Sequence, residues 1–125
     1  MRSLMLKTYA ALSIVSPAGE RIAQGMKTLE IRTWQPPEWP LKDLLIVEND
    51  QYLNHDGDES IGRAVALVDV MDVHPWREDE FEAACASYWA KGYFAWVLDN
   101  VRPIQRQLVV PAKRKIYRLN LELQL

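Results

Sequence analysis

Apolar and polar residues alternate with period two over much of the chain, the signature of strands whose side chains point to opposite faces. The pattern predicts a first strand from Leu4 to Val15. Ser16-Pro17 then opens a short helix, with Ser16 as its N-cap and Pro17 in its first turn. Ala18 and Ile22 form that helix's buried stripe, and Gly25 stands where a helix ends in the left-handed conformation. In the segment MKTLEIR that follows, Leu29 and Ile31 share one face, with Thr28, Glu30 and Arg32 on the other. Lys27 has the parity of Leu29 and Ile31, so a lysine heads an apolar row.

Further along, TWQPPEWP is a loop by its prolines, and LLIVEN reads as a short strand buried on both faces. NHDGDES is a polar turn and GRAVALVDVMDV another strand, apolar on both faces near its middle. PWREDEFEAACASYWAKG carries the helical period. Phe81, Ala84, Cys85, Tyr88 and Trp89 fall on one stripe behind an acidic first turn, and Gly92 closes it. YFAWVL, QRQLVV and KIYRLNLEL complete the set as strands. Most connections are too short for parallel crossovers. The expected fold is α+β: one domain over residues 1–125, a small, mostly antiparallel β-barrel with two flanking helices.

Charge narrows the function classes. The formal net charge of -2 leaves no overall surplus of Lys and Arg, so a polyanion site has to be a local patch. Lys113, Arg114 and Lys115 form the one dense basic run. Cys85 is the only cysteine, which excludes an intramolecular disulfide and a cysteine cage for a metal. His55 and His74 have no partner at ligand spacing, and HDGDE lacks the twelve-residue pattern of a calcium loop. No metal and no cofactor is expected. No apolar run approaches the about 20 residues of a membrane span, and MRSLMLKTYAALSIV has no small-residue cleavage site. A cytoplasmic location without membrane contact is the expectation.

Several blocks in order resemble the ASCH domain, a relative of the PUA fold. Ser-x-x-x-Pro precedes a short helix and Gly25-x-Lys27-Thr28-x-Glu30-x-Arg32 follows it. Gly62-Arg63-Ala64-Val65, Gly92-Tyr93-Phe94-Ala95-Trp96-Val97-Leu98, Arg102-Pro103 and Lys115-Ile116-Tyr117-Arg118-Leu119 continue the match, which spans roughly Leu12 to Leu121. The resemblance implies a PUA-like barrel with a cleft between the first helix and the lysine strand. It also implies work on RNA or nucleosides: hydrolysis of the exocyclic amide of N4-acylated cytidines, or binding or cleavage of RNA. In the acetylcytidine amidohydrolases the motif reads Gly-x-Lys-Thr-x-Thr-x-Arg and the lysine is catalytic. Lys27 and Thr28 match, whereas Glu30 replaces the second threonine. Those enzymes use a further glutamate, for which Glu78, Glu80 and Glu82 lie in the corresponding region.

The residues support a lysine with unusual chemistry. Partial burial at a barrel rim lowers a lysine's pKa, and a lysine near neutrality serves as base or nucleophile. Lys27, Glu30 and Thr28 are therefore the catalytic candidates, with Glu30 or a later glutamate passing the proton and backbone amides near Gly25 receiving an oxyanion. Ser16, Pro17, Arg32, Trp34, Tyr93 and Trp96 are the substrate-binding candidates, Trp34 because it directly follows the motif strand. Tyr93 and Trp96 have opposite parity, so one of them faces the core. The leading expectation is a metal-free amidohydrolase whose partner is a small nucleoside. The alternatives are a ribonuclease or RNA-binding domain using Lys113, Arg114 and Lys115, and a non-catalytic nucleotide-binding module. Oligomeric state is not legible in the sequence.

Overall fold

A computed structural model of the chain describes residues 6–123 and residue 125. Strand β1 spans Lys7–Val15; Leu4 and Met5, where it was expected to begin, lie outside the described residues. Helix α1 (Ala18–Ala23) and strand β2 (Leu29–Arg32) follow, then β3 (Leu41–Asn49) and β4 (Glu59–Pro75). A short 3-10 turn at Glu78–Glu80 leads through an irregular segment to β5 (Phe94–Lys113) and β6 (Ile116–Leu121). YFAWVL and QRQLVV thus belong to one long strand, which absorbs Pro103 and Pro111. It pairs antiparallel with β4 from Glu59–Lys113 to Pro75–Phe94, slipping register between Ala64 and Ala66, Leu67 and Asp69, and Val70 and Asp72. Such slips add twist and bend a strand pair.

The strand order is β2-β5-β4-β3-β1-β6, one mixed sheet in which β1 and β3 run parallel and the other neighbours antiparallel. The sheet is not closed: β2 and β6 are its edges, which corrects the expected barrel. Strands apolar on both faces need not line a closed sheet, because this one buries both faces against separate cores. Leu12, Ile14, Leu44, Ile46, Val65, Val68, Trp96 and Leu98 pack in one cluster with Ile22 of α1. Their alternates Ala11, Leu45, Val47, Ala64 and Leu67 pack in a second with Ile104, Val110 and Ala112. The two-sided burial expected of LLIVEN is met residue by residue.

The first helix keeps its stripe and its stop. Ile22 is buried, Ala18 packs against the same core, and Gly25 takes φ +79° as the Met26 amide donates to the Arg21 carbonyl. Its N-terminus differs from expectation. Pro17 is the capping residue and Ser16 makes no side-chain cap; the Glu48 carboxylate of β3 accepts the Glu20 amide instead, at 2.8 Å. Gly19 permits this, since a Cβ there would stand 2.9 Å from the Glu48 Cβ.

The second helix does not form. After Glu80 the chain makes turns through residue 85, where Cys85 adopts φ +53°. A helix would use the carbonyls of residues 83 and 84 for its own amides four residues on. Here the Ala83 carbonyl accepts the amides of Thr28 and Leu29, at 2.9 and 3.2 Å, and the Ala84 carbonyl accepts the Lys27 ammonium. Of the expected stripe, Ala84 is buried and Trp89 packs half-buried on Trp76, whereas Phe81 and Tyr88 are exposed. Leu29, Trp76, Ala84 and Ala95 make a third small core that fastens the segment to β2.

Replacing Cys85 by Gly tests this conformation. Glycine adopts positive φ without a Cβ penalty, so Cys85→Gly will leave the urea midpoint unchanged or raise it. In a helix interior the same change would lower it, by about 0.3–0.5 kcal/mol of stability.

Candidate functional site

Two features stand where the lysine strand meets the rest of the sheet: a buried line of charges and an open cleft. Strand β2 begins only at Leu29, so Lys27 lies before the pleat and is not bound by its parity. The Met26 and Lys27 amides both bond back to the Arg21 carbonyl, which turns the lysine under the 81–92 segment. Its side chain is 7% exposed. The ammonium donates to the Ala84 carbonyl at 2.6 Å and lies 3.5 Å from Glu30 Oε1.

Glu30 is equally hidden, although its parity opposes that of Leu29 and Ile31. Those two pack into the third core, while the carboxylate lies across β2 beneath Arg32. Oε1 also accepts the Ile31 amide at 3.1 Å, and Oε2 meets Arg32 Nη2 at 3.3 Å. Burial alone would push this carboxyl's pKa up. The charges of Arg32 and Lys27 with the Ile31 amide outweigh it and hold the group below the usual glutamate value. The lysine's carboxylate partner is thus Glu30. Among the later glutamates, Glu80 is engaged by His74 and Arg77, and Glu78 and Glu82 are exposed.

Arg32 joins this line to the cleft. Nη2 donates to the Ser13 carbonyl at 3.0 Å, tying β2 to β1, and the side chain forms part of the cleft wall. The cleft encloses about 490 Å³. Arg32 and Trp34 form one wall; Tyr93, the turn Lys113–Lys115 and the loop from Gln51 to Asn54 complete it. The Lys115 ammonium stands 5.8 Å from the centre of the Trp34 ring, a cation–π geometry. Four cations line the cleft and no carboxylate does. Two of those cations have rim partners: Lys113 lies 3.5 Å from Glu59, and Arg114 lies 2.5 Å from Asp56.

The sequence candidates therefore divide. Arg32, Trp34, Tyr93, Lys113, Arg114 and Lys115 converge on the cleft, although they were assigned to two rival readings. Trp96 is the core member of its pair: it is fully buried, donates from Nε1 to the Trp34 carbonyl and meets that ring edge-on at 5.0 Å. It supports Trp34 and does not line the cleft. Ser16, Pro17 and Thr28 are exposed and lie outside the lining, and Lys27 and Glu30 are sealed behind it. Ser13, Thr33, Gln51, Tyr52 and Asn54 were missed. An exposed tyrosine in a polar loop is a signal the sequence did carry, but nothing local says that the loop faces Trp34.

Among the described residues no cluster of His, Cys, Asp and Glu is placed to hold a metal ion, and no helix is long and apolar enough to cross a membrane. A family model described as "ASCH domain" matches residues 12–107. Two solved structures of ZmASCH from Zymomonas mobilis resemble the fold, each at 13% identity. A serine-to-alanine mutant superposes with TM-score 0.53 over 78% of this chain and 71% of its own. A tyrosine-to-phenylalanine mutant gives 0.47 over 80% and 74%. No curated protein sequence matches the chain.

The Glu30 pKa fixes the sign of one pH effect. A depressed folded value means stability that is complete above the unfolded value near 4.5 and lost as pH falls toward the folded value. The urea midpoint will drop on acidification below that point, with Asp43 and Asp69 adding in the same direction. Glu30→Gln will flatten the Glu30 part of that drop. A profile identical to wild type would show the carboxylate unpaired.

Proposed function

We propose that this chain, which belongs to the ASCH domain family, binds single-stranded RNA by drawing one nucleotide into the cleft between Trp34 and the Lys113–Lys115 turn. The family is associated with RNA-related and hydrolytic activities. One observation carries the reading: a chain of net charge -2 places four cations and no carboxylate around a cavity that also holds Trp34, Tyr52 and Tyr93. An unstacked base finds a π-face on those rings, worth about 1–3 kcal/mol per base. The cations meet the phosphates flanking it, and the Gln51 and Asn54 amides in the lining are donors and acceptors of the kind a base edge pairs with. Net charge had argued against a polyanion ligand. Glu30, Glu59 and Asp56 pair with three of these cations from outside the lining, and Lys115 has no ion pair among the described residues. The cleft itself therefore presents cations, and association depends on that local field and not on the sum over the chain.

A second reading, amide hydrolysis of N4-acylated cytidine, is favoured by one observation, the Lys27–Glu30 contact at 3.5 Å, within reach of proton exchange through small movements. It requires the 81–92 segment to lift, since the Ala84 carbonyl caps the amine and neither residue lines the cleft. Water would then add to the acyl carbon, the C–N bond break, and the released exocyclic amine take up the proton.

Fluorescence anisotropy with a labelled single-stranded oligoribonucleotide, run over a salt series beside N4-acetylcytidine turnover, separates the two. Binding will weaken with salt at a log–log slope of about -0.7 per neutralised phosphate. Lys115→Ala will reduce that slope by one such increment, and Trp34→Ala will weaken binding at every salt concentration. Acetate release abolished by Lys27→Ala, with no RNA retained, would overturn this reading in favour of hydrolysis.

A further inference from the structure

Lys27 never reaches the cleft, yet it sits at the inner end of a charge line whose outer end is the cleft wall. Glu30 Oε1 is held by Lys27 and the Ile31 amide, and Oε2 by Arg32. Lys27 and Glu30 are 6% and 5% exposed, so water does little to screen one from the other. Two cations and one carboxylate leave a single net positive charge. The inner cation is walled off by the Ala84 carbonyl, and both cations share the one carboxylate, so part of the surplus stands on Arg32 at the cleft. All the hydrogen bonds Arg32 makes among the described residues leave from Nη2, to Ser13 and Glu30. Nη1 and Nε make no bond to the described residues; they lie on different edges of the guanidinium, so each donates singly and a phosphate oxygen can take a single bond from Nη1.

We propose that Lys27 is a positioning residue: by sharing Glu30 from behind, it leaves Arg32 only partly compensated, with Nη1 available to a phosphate of the bound strand. This rests on the reading of the cleft as an RNA site. Without Lys27 the buried carboxylate would have Arg32 as its sole ionic partner. The guanidinium would be drawn inward and its charge cancelled where the ligand needs it. A lysine that touches no ligand would thus set affinity through its neighbour's neutraliser.

The test is a charge-balanced pair of variants, Lys27→Met and Lys27→Met/Glu30→Gln, against the same oligoribonucleotide. Lys27→Met will weaken binding roughly tenfold at low salt and lower the salt slope by about 0.7, the share of one cation on a single strand. The double variant, which has lost the lysine but also the charge it neutralised, will return to within about twofold of wild type with the full slope. A purely structural lysine would instead lower the fraction of folded protein and leave the slope of the folded fraction unchanged. If Lys27→Met fails to fold, the double variant alone decides, since binding far below wild type sinks the proposal. Equal binding by wild type and Lys27→Met also sinks it while the RNA reading stands. A wild-type protein that binds no RNA fails the parent reading, and this inference with it.

Discussion

The carbonyls of Ala83 and Ala84 organise more of this molecule than any side chain does. By accepting the amides of Thr28 and Leu29 and the ammonium of Lys27, they cover the start of an edge strand that would otherwise offer open donors to any passing chain. The same bonds deny the 81–92 segment its helix, because a carbonyl turned toward β2 is not available to an amide four residues on. They also enclose a lysine. Burying an ammonium is costly, and the structure meets the cost with a carbonyl at 2.6 Å and a carboxylate at 3.5 Å.

A buried ion pair of this kind is weak support for stability, since desolvation takes back most of the Coulomb gain. Its value lies in direction. Glu30 cannot relax toward solvent, Lys27 fills one side of it, and Arg32 is held to the other while bonding the Ser13 carbonyl of β1. The guanidinium is therefore fixed against two strands that are not neighbours in the sheet. Trp34, two residues on, is fixed by the Trp96 indole in the core. The Arg32–Trp34 wall of the cleft thus has rigid backing, which favours holding a flexible strand by lowering the cost of ordering the site.

The motif strand, the first helix with Gly25 as its stop, and the two-sided strands were legible because each is a local pattern. Lys27 was visibly odd for the same reason, and Trp34 and the Lys113–Lys115 run were visible as chemistry. The helix over residues 75–92 was misread because its 3.6-residue spacing is real; Ala84 and Trp89 do pack inward. What overrode it was a hydrogen-bond competition between segments more than fifty residues apart in sequence. The barrel was misread because a strand apolar on both faces reports burial and not closure.

The sequence by itself determined which residues alternate, where the chain turns, and that a lysine, a glutamate and an arginine stand within six residues of one another. Those are consequences of local sterics and of period. Only the tertiary structure decided that Lys27 and Glu30 meet across opposite parities, and that residues 32–34, 51–54, 93 and 113–115 share one cleft. Sheet order and loop docking bring those segments together, and they depend on competition among all the chain's donors, acceptors and apolar surfaces at once, which no window of neighbouring residues contains.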